Sequence, residues 1–208
     1  MLKKTILSLI ILVIIVFAGC NKTDSPVSPT QSDVLIPLKV GNTWIYQGGS
    51  KDSVSTDTLK VIRDTIINGV TWYFFNSDSS DVVTNLNDGF YDMFIGSYSY
   101  MGSGLSFKYP AKVGDTCSSS NNNSTQNGIR TVLSVNESIT VKAGTFKCYK
   151  FQSYGVVTDT TYNFSIYTKD TVWICPNIGM IKTKSWVSFD NIYYNYASNG
   201  ELQSFNLK

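Results

Sequence analysis

From residue 34 onward the chain is a succession of strand-forming runs cut short by turn residues, and nowhere in it do apolar residues recur at helical spacing. The clearest unit runs from 54 to 76. Two stretches rich in β-branched and aromatic residues, 54–67 and 70–76, meet across Asn68-Gly69, a pair that tolerates the positive φ of a type I′ hairpin turn. Asn87-Asp88-Gly89 has the same character between Val82-Val83 and Phe90-Tyr91, and Gly102-Ser103-Gly104 reads as a further turn between Tyr98 and Phe107. Beyond the polar stretch 118–128, strands are expected at 129–135, 138–141, 145–157, 161–167, 171–175, 178–189 and 192–205. The fold class is therefore all-β, an antiparallel meander in which neighbours in sequence are neighbours in space. A sheet of about ten strands must curl or split to bury its apolar face, so a curved half-open barrel and a two-layer sandwich both satisfy the pattern.

The folded part is expected to be one domain, 34–208, opening with Pro37-Leu38-Lys39-Val40-Gly41-Asn42-Thr43-Trp44. Pro110-Ala111-Lys112-Val113-Gly114-Asp115-Thr116-Cys117 repeats that octet at Pro, Lys, Val, Gly and Thr, which suggests two related halves. Ahead of the domain, Lys3 and Lys4 precede an apolar run over 6–18 broken only by Ser8. The run is shorter than the roughly 18–20 residues a spanning helix needs, and it ends in small residues, as a signal peptide does. Ala18-Gly19-Cys20 resembles the lipobox of bacterial lipoproteins. That resemblance implies removal of 1–19, lipidation of Cys20 with acyl chains such as palmitate, and attachment to a membrane of the bacterial cell envelope, the outer membrane being favoured. Residues 20–33 then form a polar tether carrying Pro26 and Pro29. Its thirteen residues after Cys20 reach about 40 Å when extended, at about 3.3 Å per residue.

Composition excludes several function classes. The seventeen basic residues less Lys3 and Lys4 leave 15 against 15 acidic residues in the processed chain. That is not the charge of a nucleic-acid binder. The absence of histidine removes Ser-His-Asp and Cys-His catalysis, His-ligated zinc and imidazole acid-base shuttles. Glutamate occurs only at Glu137 and Glu201, so a glycosidase-like hydrolase would have to rest on aspartates, and no pair stands out. The expectation is a non-enzyme with no cofactor and no metal. Asn85, Asn87 and Asp88 lack the oxygen spacing and closing glutamate of a calcium loop. With Cys20 spent on lipid, Cys117, Cys148 and Cys175 allow one disulfide and one leftover thiol, in any of three pairings.

Three segments carry a second resemblance: Pro37-Leu38-Lys39-Val40-Gly41-Asn42-Thr43-Trp44-Ile45-Tyr46, Val141-Lys142-Ala143-Gly144-Thr145-Phe146-Lys147-Cys148, and Pro176-Asn177-Ile178-Gly179-Met180-Ile181-Lys182 after Trp173. Together they resemble a broad group of uncharacterised bacterial secreted proteins and lipoproteins. That likeness implies a sheet similar to the half-barrels of lipoprotein carriers, with a concave apolar face. Trp72, Phe74, Met93, Ile95 and Phe107 would either line such a face for an acyl chain or fill the core. The functional expectation is a non-catalytic binding module for an apolar or lipid-like ligand, held at the membrane by Cys20. The alternative is a structural or protein-interaction lipoprotein of the envelope.

Overall fold

The computed structural model describes residues 34–50, 52–76, 81–95, 100–118, 127–159 and 164–208. Residues 1–33, with Cys20 and the tether, lie outside the described residues. Twelve strands follow one another: β1 (Thr43–Ser50), β2 (Ser53–Ile67), β3 (Val70–Phe75), β4 (Asp81–Leu86), β5 (Gly89–Ile95), β6 (Tyr100–Lys108), β7 (Thr116–Ser118), β8 (Asn127–Val141), β9 (Gly144–Asp159), β10 (Phe164–Cys175), β11 (Gly179–Ser188) and β12 (Asn195–Asn206). All pair antiparallel in one sheet of order β6-β5-β4-β3-β2-β1-β12-β11-β10-β9-β8-β7. Among the described residues the only ladder that does not join sequence neighbours is β1 with β12, from Thr43 opposite Asn206 to Gly49 opposite Asn199. It curls the meander into a nearly closed barrel with one unsealed seam, between β6 and β7. Of the two forms the pattern allowed, the barrel is the one adopted.

Turn chemistry fixes the hairpins. Asn68 and Gly69 take φ of 52° and 79°, the left-handed pair of a type I′ turn, between β2 and β3. The turn expected at Gly102-Ser103-Gly104 is not there: these residues lie inside β6, where Gly104 pairs with Asp92. Glycine marked a strand position rather than its end. Two expected breaks also vanish. Asn136-Glu137 is absorbed in β8 by register shifts between Val132 and Glu137. Thr168-Lys169-Asp170 stays within β10, the Lys169 ammonium lying 5.7 Å and 5.8 Å from the Tyr154 and Trp186 ring centroids.

The repeated octets have the same geometry. In the first, the Gly41 amide donates to the Val61 carbonyl at 2.8 Å, the Val61 amide to Asn42 at 2.9 Å, and the Asn42 amide back to Lys39 at 2.9 Å. In the second, Gly114 donates to Val132 at 2.9 Å, Val132 to Asp115 at 2.9 Å, and Asp115 to Lys112 at 3.1 Å. Gly41 and Gly114 share φ near +90° (95° and 91°), a conformation costly for residues with a Cβ. Val61 and Val132 are buried in the same core. The chain is thus two related halves of six strands, β1–β6 and β7–β12.

That core joins Trp44, Val61, Val83, Phe90, Val132, Phe151, Ile174, Ile181 and Leu202, each apolar side chain contributing about 1.5–3 kcal/mol on full burial. Residues 34–38 have no strand of their own yet are all buried, at the end of the barrel where the chain enters. Polar groups receive this backbone: Asn85 Nδ2 donates to the Ile36 carbonyl at 2.8 Å, Asn42 Nδ2 to Pro37 at 3.0 Å, and the Asn177 amide to Val34 at 3.0 Å. On the opposite face of β2–β5, Ile67, Val70, Trp72, Phe74, Val82 and Met93 form a second buried cluster.

Candidate binding site

In a meander of this kind β1 and β11 end, and β2 and β12 begin, at the end of the barrel opposite residue 34. Near that end a cavity of about 450 Å³ opens between β1, β2, β11 and β12. Its apolar side is made by Tyr46, Leu59 and Met180; Ser55, Asp57, Lys182, Ser198 and Asn199 surround these with polar groups and charges of both signs. Register explains the space. Gly48 lies opposite Ser55 in β2 and Gly200 in β12, so three adjacent strands present almost no side-chain volume at that level. A Cβ on Gly48 would fall 2.2 Å from the Asn199 carbonyl oxygen, so the close crossing of β1 and β12 admits only glycine there.

Below the glycines the floor is rigid. The Tyr46 hydroxyl donates to the Met180 carbonyl at 3.0 Å, and Trp44 Nε1 donates to Ile178 at 2.6 Å. Burial pushes the Tyr46 phenol far above its ordinary range, so it stays a neutral donor. At the rim Lys182 is paired with Glu201 at 2.5 Å, and the Asp57 carboxylate accepts from the Ser55 hydroxyl at 3.2 Å.

Beside the cavity mouth the β11–β12 connection holds large apolar groups in solvent. Phe189, Ile192 and Tyr193 are 70 %, 72 % and 75 % exposed, and Tyr196, whose hydroxyl reaches the Gly49 carbonyl at 3.5 Å, continues them. The loop is held by Asp190, whose Oδ1 accepts from the Ser188 hydroxyl at 2.8 Å and from the Ile192 and Tyr193 amides at 2.9 and 3.0 Å. Those amide hydrogen bonds, from Tyr193 first, pull the Asp190 carboxyl down to about 2.

The side chains singled out in the sequence fall elsewhere. Trp72, Phe74, Met93 and Ile95 gather in the second cluster, on the face of β3–β5 turned away from the main core, with the Arg63 guanidinium 3.3 Å from the Phe74 ring centroid. Phe107 packs in the main core, 5.0 Å from Phe151 and 4.1 Å from the Arg130 guanidinium. Of the turn oxygens weighed for calcium, Asn85 donates to Ile36, and Asp88 accepts the Tyr91 hydroxyl at 3.0 and 2.9 Å. The cavity residues Gly48, Gly49 and Gly200 were not signalled by the sequence, because only the β1–β12 pairing brings them together.

Polar side chains bridge the seam without sealing it. Arg130 Nε donates to Ser153 Oγ at 2.8 Å, its Nη1 donates to the Ser106 carbonyl, and the Cys117 thiol lies on that same carbonyl at 3.7 Å. Ser106 Oγ in turn donates to Asp92. Burial pushes the Arg130 guanidinium down, opposed by the charges of Cys117, Asp92 and Asp170. Lys108 and Asp115 pair across the same seam at 3.0 Å.

A family model described as DUF3108-like matches residues 110–205, beginning at the first residue of the repeated octet and covering the second half of the barrel. Two solved structures are similar over 84 % of this chain: a candidate lipoprotein from Parabacteroides distasonis (15 % identity, 99 % of that chain, TM-score 0.49) and a candidate exported protein with a YmcC-like fold from Bacteroides fragilis (14 % identity, 100 % of that chain, TM-score 0.48). No curated protein matches the chain.

Proposed function

We propose that this chain is a membrane-anchored lipoprotein of the bacterial envelope whose barrel is a non-catalytic binding module for an apolar or lipid-like ligand. The observation that carries the reading is the cavity: an apolar floor of Tyr46, Leu59 and Met180 under a polar rim, at the end where Phe189, Ile192 and Tyr193 stand exposed. An amphiphile suits that arrangement, its chain on the floor and its head at the rim. The anchor rests on the sequence before Cys20, and acylation there would hold the domain at a membrane, with the outer membrane favoured. Because residue 34 enters at the opposite end, the cavity mouth would face away from the tether. The exposed loop favours the second reading, an interaction lipoprotein that docks a protein partner through Phe189, Ile192 and Tyr193.

Native mass spectrometry of the full chain, extracted from membranes and incubated with a long-chain fatty acid, tests the binding reading. The wild type is expected to retain the acid. Ser198→Phe, which places a ring in the cavity, should lose it while the far-ultraviolet circular dichroism stays unchanged. A wild-type chain that retains no acid, or equal retention by the variant, would sink the reading. Separately, Cys20→Ala should move the folded chain from the membrane to the soluble fraction.

A further inference from the structure

Three cysteines are described, all as thiols, and only two of them are neighbours. The β9–β10 ladder runs in unbroken register from Phe164 opposite Asp159 to Ile174 opposite Tyr149. Carried one step beyond its last pair, that register sets Cys175 opposite Cys148. Directly opposed residues in an antiparallel pair have Cα atoms about 4.5–5.5 Å apart and side chains on the same face. That separation lies inside the range of about 4.4–6.8 Å that a disulfide spans. The two thiols are close enough for each to shift the other, and the Cys175 thiol also reaches the Pro176 carbonyl at 3.6 Å. Cys117 is excluded by position. It sits in β7 opposite Arg130, in the row of Ser153, which is five residues along β9 from Cys148, or about 16 Å at strand spacing.

We propose that Cys148 and Cys175 form a cross-strand disulfide in the exported protein, leaving Cys117 as a thiol at the seam. The bond needs an oxidising compartment, so its presence in cells rests on the envelope reading above. The order of events follows from burial. Cys148 is wholly buried whereas Cys175 is partly exposed. Interaction with Cys148 lowers the Cys175 thiol, and interaction with Cys175 together with burial raises Cys148. Cys175 therefore attacks first: its thiolate takes one sulfur of an oxidant disulfide, forming a mixed disulfide and expelling the oxidant's other sulfur as thiolate. Cys148 then attacks the Cys175 sulfur and expels the second oxidant thiolate. Two thiols lose two electrons in all, the oxidant disulfide gains them, and the two protons end on the oxidant's thiols.

The test uses the full chain, reduced, exchanged into excess glutathione disulfide, alkylated and digested with trypsin without reduction. The expected product joins the peptide 148–150 to the peptide 170–182, with Cys117 alkylated and the linked species at least about tenfold above any pair containing Cys117. Cys117→Ala should leave the link intact. Glutathione retained on Cys175 beside a free Cys148, or a link through Cys117, would overturn the proposal. The same digest on chain recovered from bacterial envelopes separates the two ideas. Linked peptides there support both. A chain that links in glutathione but returns from cells as a dithiol overturns the envelope reading, and with it the bond in the exported protein, while the pairing of positions stands.

Discussion

The cavity depends on residues defined by what they lack. Gly48 and Gly200 face each other where β1 and β12 cross, and the space above Tyr46 exists because neither carries a side chain. Gly48→Ala would drive a methyl to within 2.2 Å of a backbone oxygen, which no rotamer can relieve. The expected cost is about 1–3 kcal/mol, typical of forced overpacking. Urea unfolding should show a lower midpoint, with faster amide exchange around residues 199–200; an unchanged midpoint would mean that the strands separate easily there. Nothing in the local sequence marks these glycines, because the crossing that requires them pairs the first strand with the last. Asn68-Gly69 is the opposite case, where local chemistry alone specifies the hairpin and the structure adopts it.

At the scale of elements, the seam is where the barrel depends on side chains rather than on a backbone ladder. Arg130 reaches from β8 to the Ser106 carbonyl of β6 and stacks on Phe107, with Ser153 fixing its Nε. Arg130→Met keeps the aliphatic stem and removes the charged donors, each worth about 1.5–3 kcal/mol when buried. Amides of Phe107 and Cys117 are expected to exchange about tenfold faster, a change of about 1.4 kcal/mol in local opening, while those of Tyr46 and Gln47 in the β1–β12 ladder hold their rates. Uniform acceleration across the sheet would indicate a global loss of stability and no special role at the seam. The aromatic and methionine residues noted in the sequence illustrate a limit at this scale. Alternation places Phe74 and Met93 on one face and Phe107 on the other only once the registers through Val82 and Phe90 are set.

For the whole molecule, the β1–β12 ladder joins the two halves in one sheet. Val61 of the first half and Val132 of the second share a core, and the C-terminal Lys208 amide donates to Asn42 Oδ1 at 2.9 Å. Neither half encloses that core alone. Equilibrium unfolding in urea should accordingly be a single transition, with tryptophan fluorescence and far-ultraviolet circular dichroism superimposable. Two separated transitions would show that the halves are independent domains.

What the sequence determined by itself was everything local. Strand after strand, most hairpin turns and the recurrence of the octet at 37 and 110 are properties of alternation and of residues that tolerate positive φ, and each acts over a few neighbours. The breaks it misjudged, at Gly102-Ser103-Gly104, Asn136-Glu137 and Thr168-Lys169-Asp170, are places where ladder partners and packed rings outweighed a local turn preference. Tertiary structure alone decided the closure of β12 on β1, the burial of residues 34–38, the Arg130 bridge across the seam, and the glycine crossing that leaves the cavity. Each of these joins residues far apart in the chain. A pattern with a period of two says which face a side chain takes but not which strand will cover it.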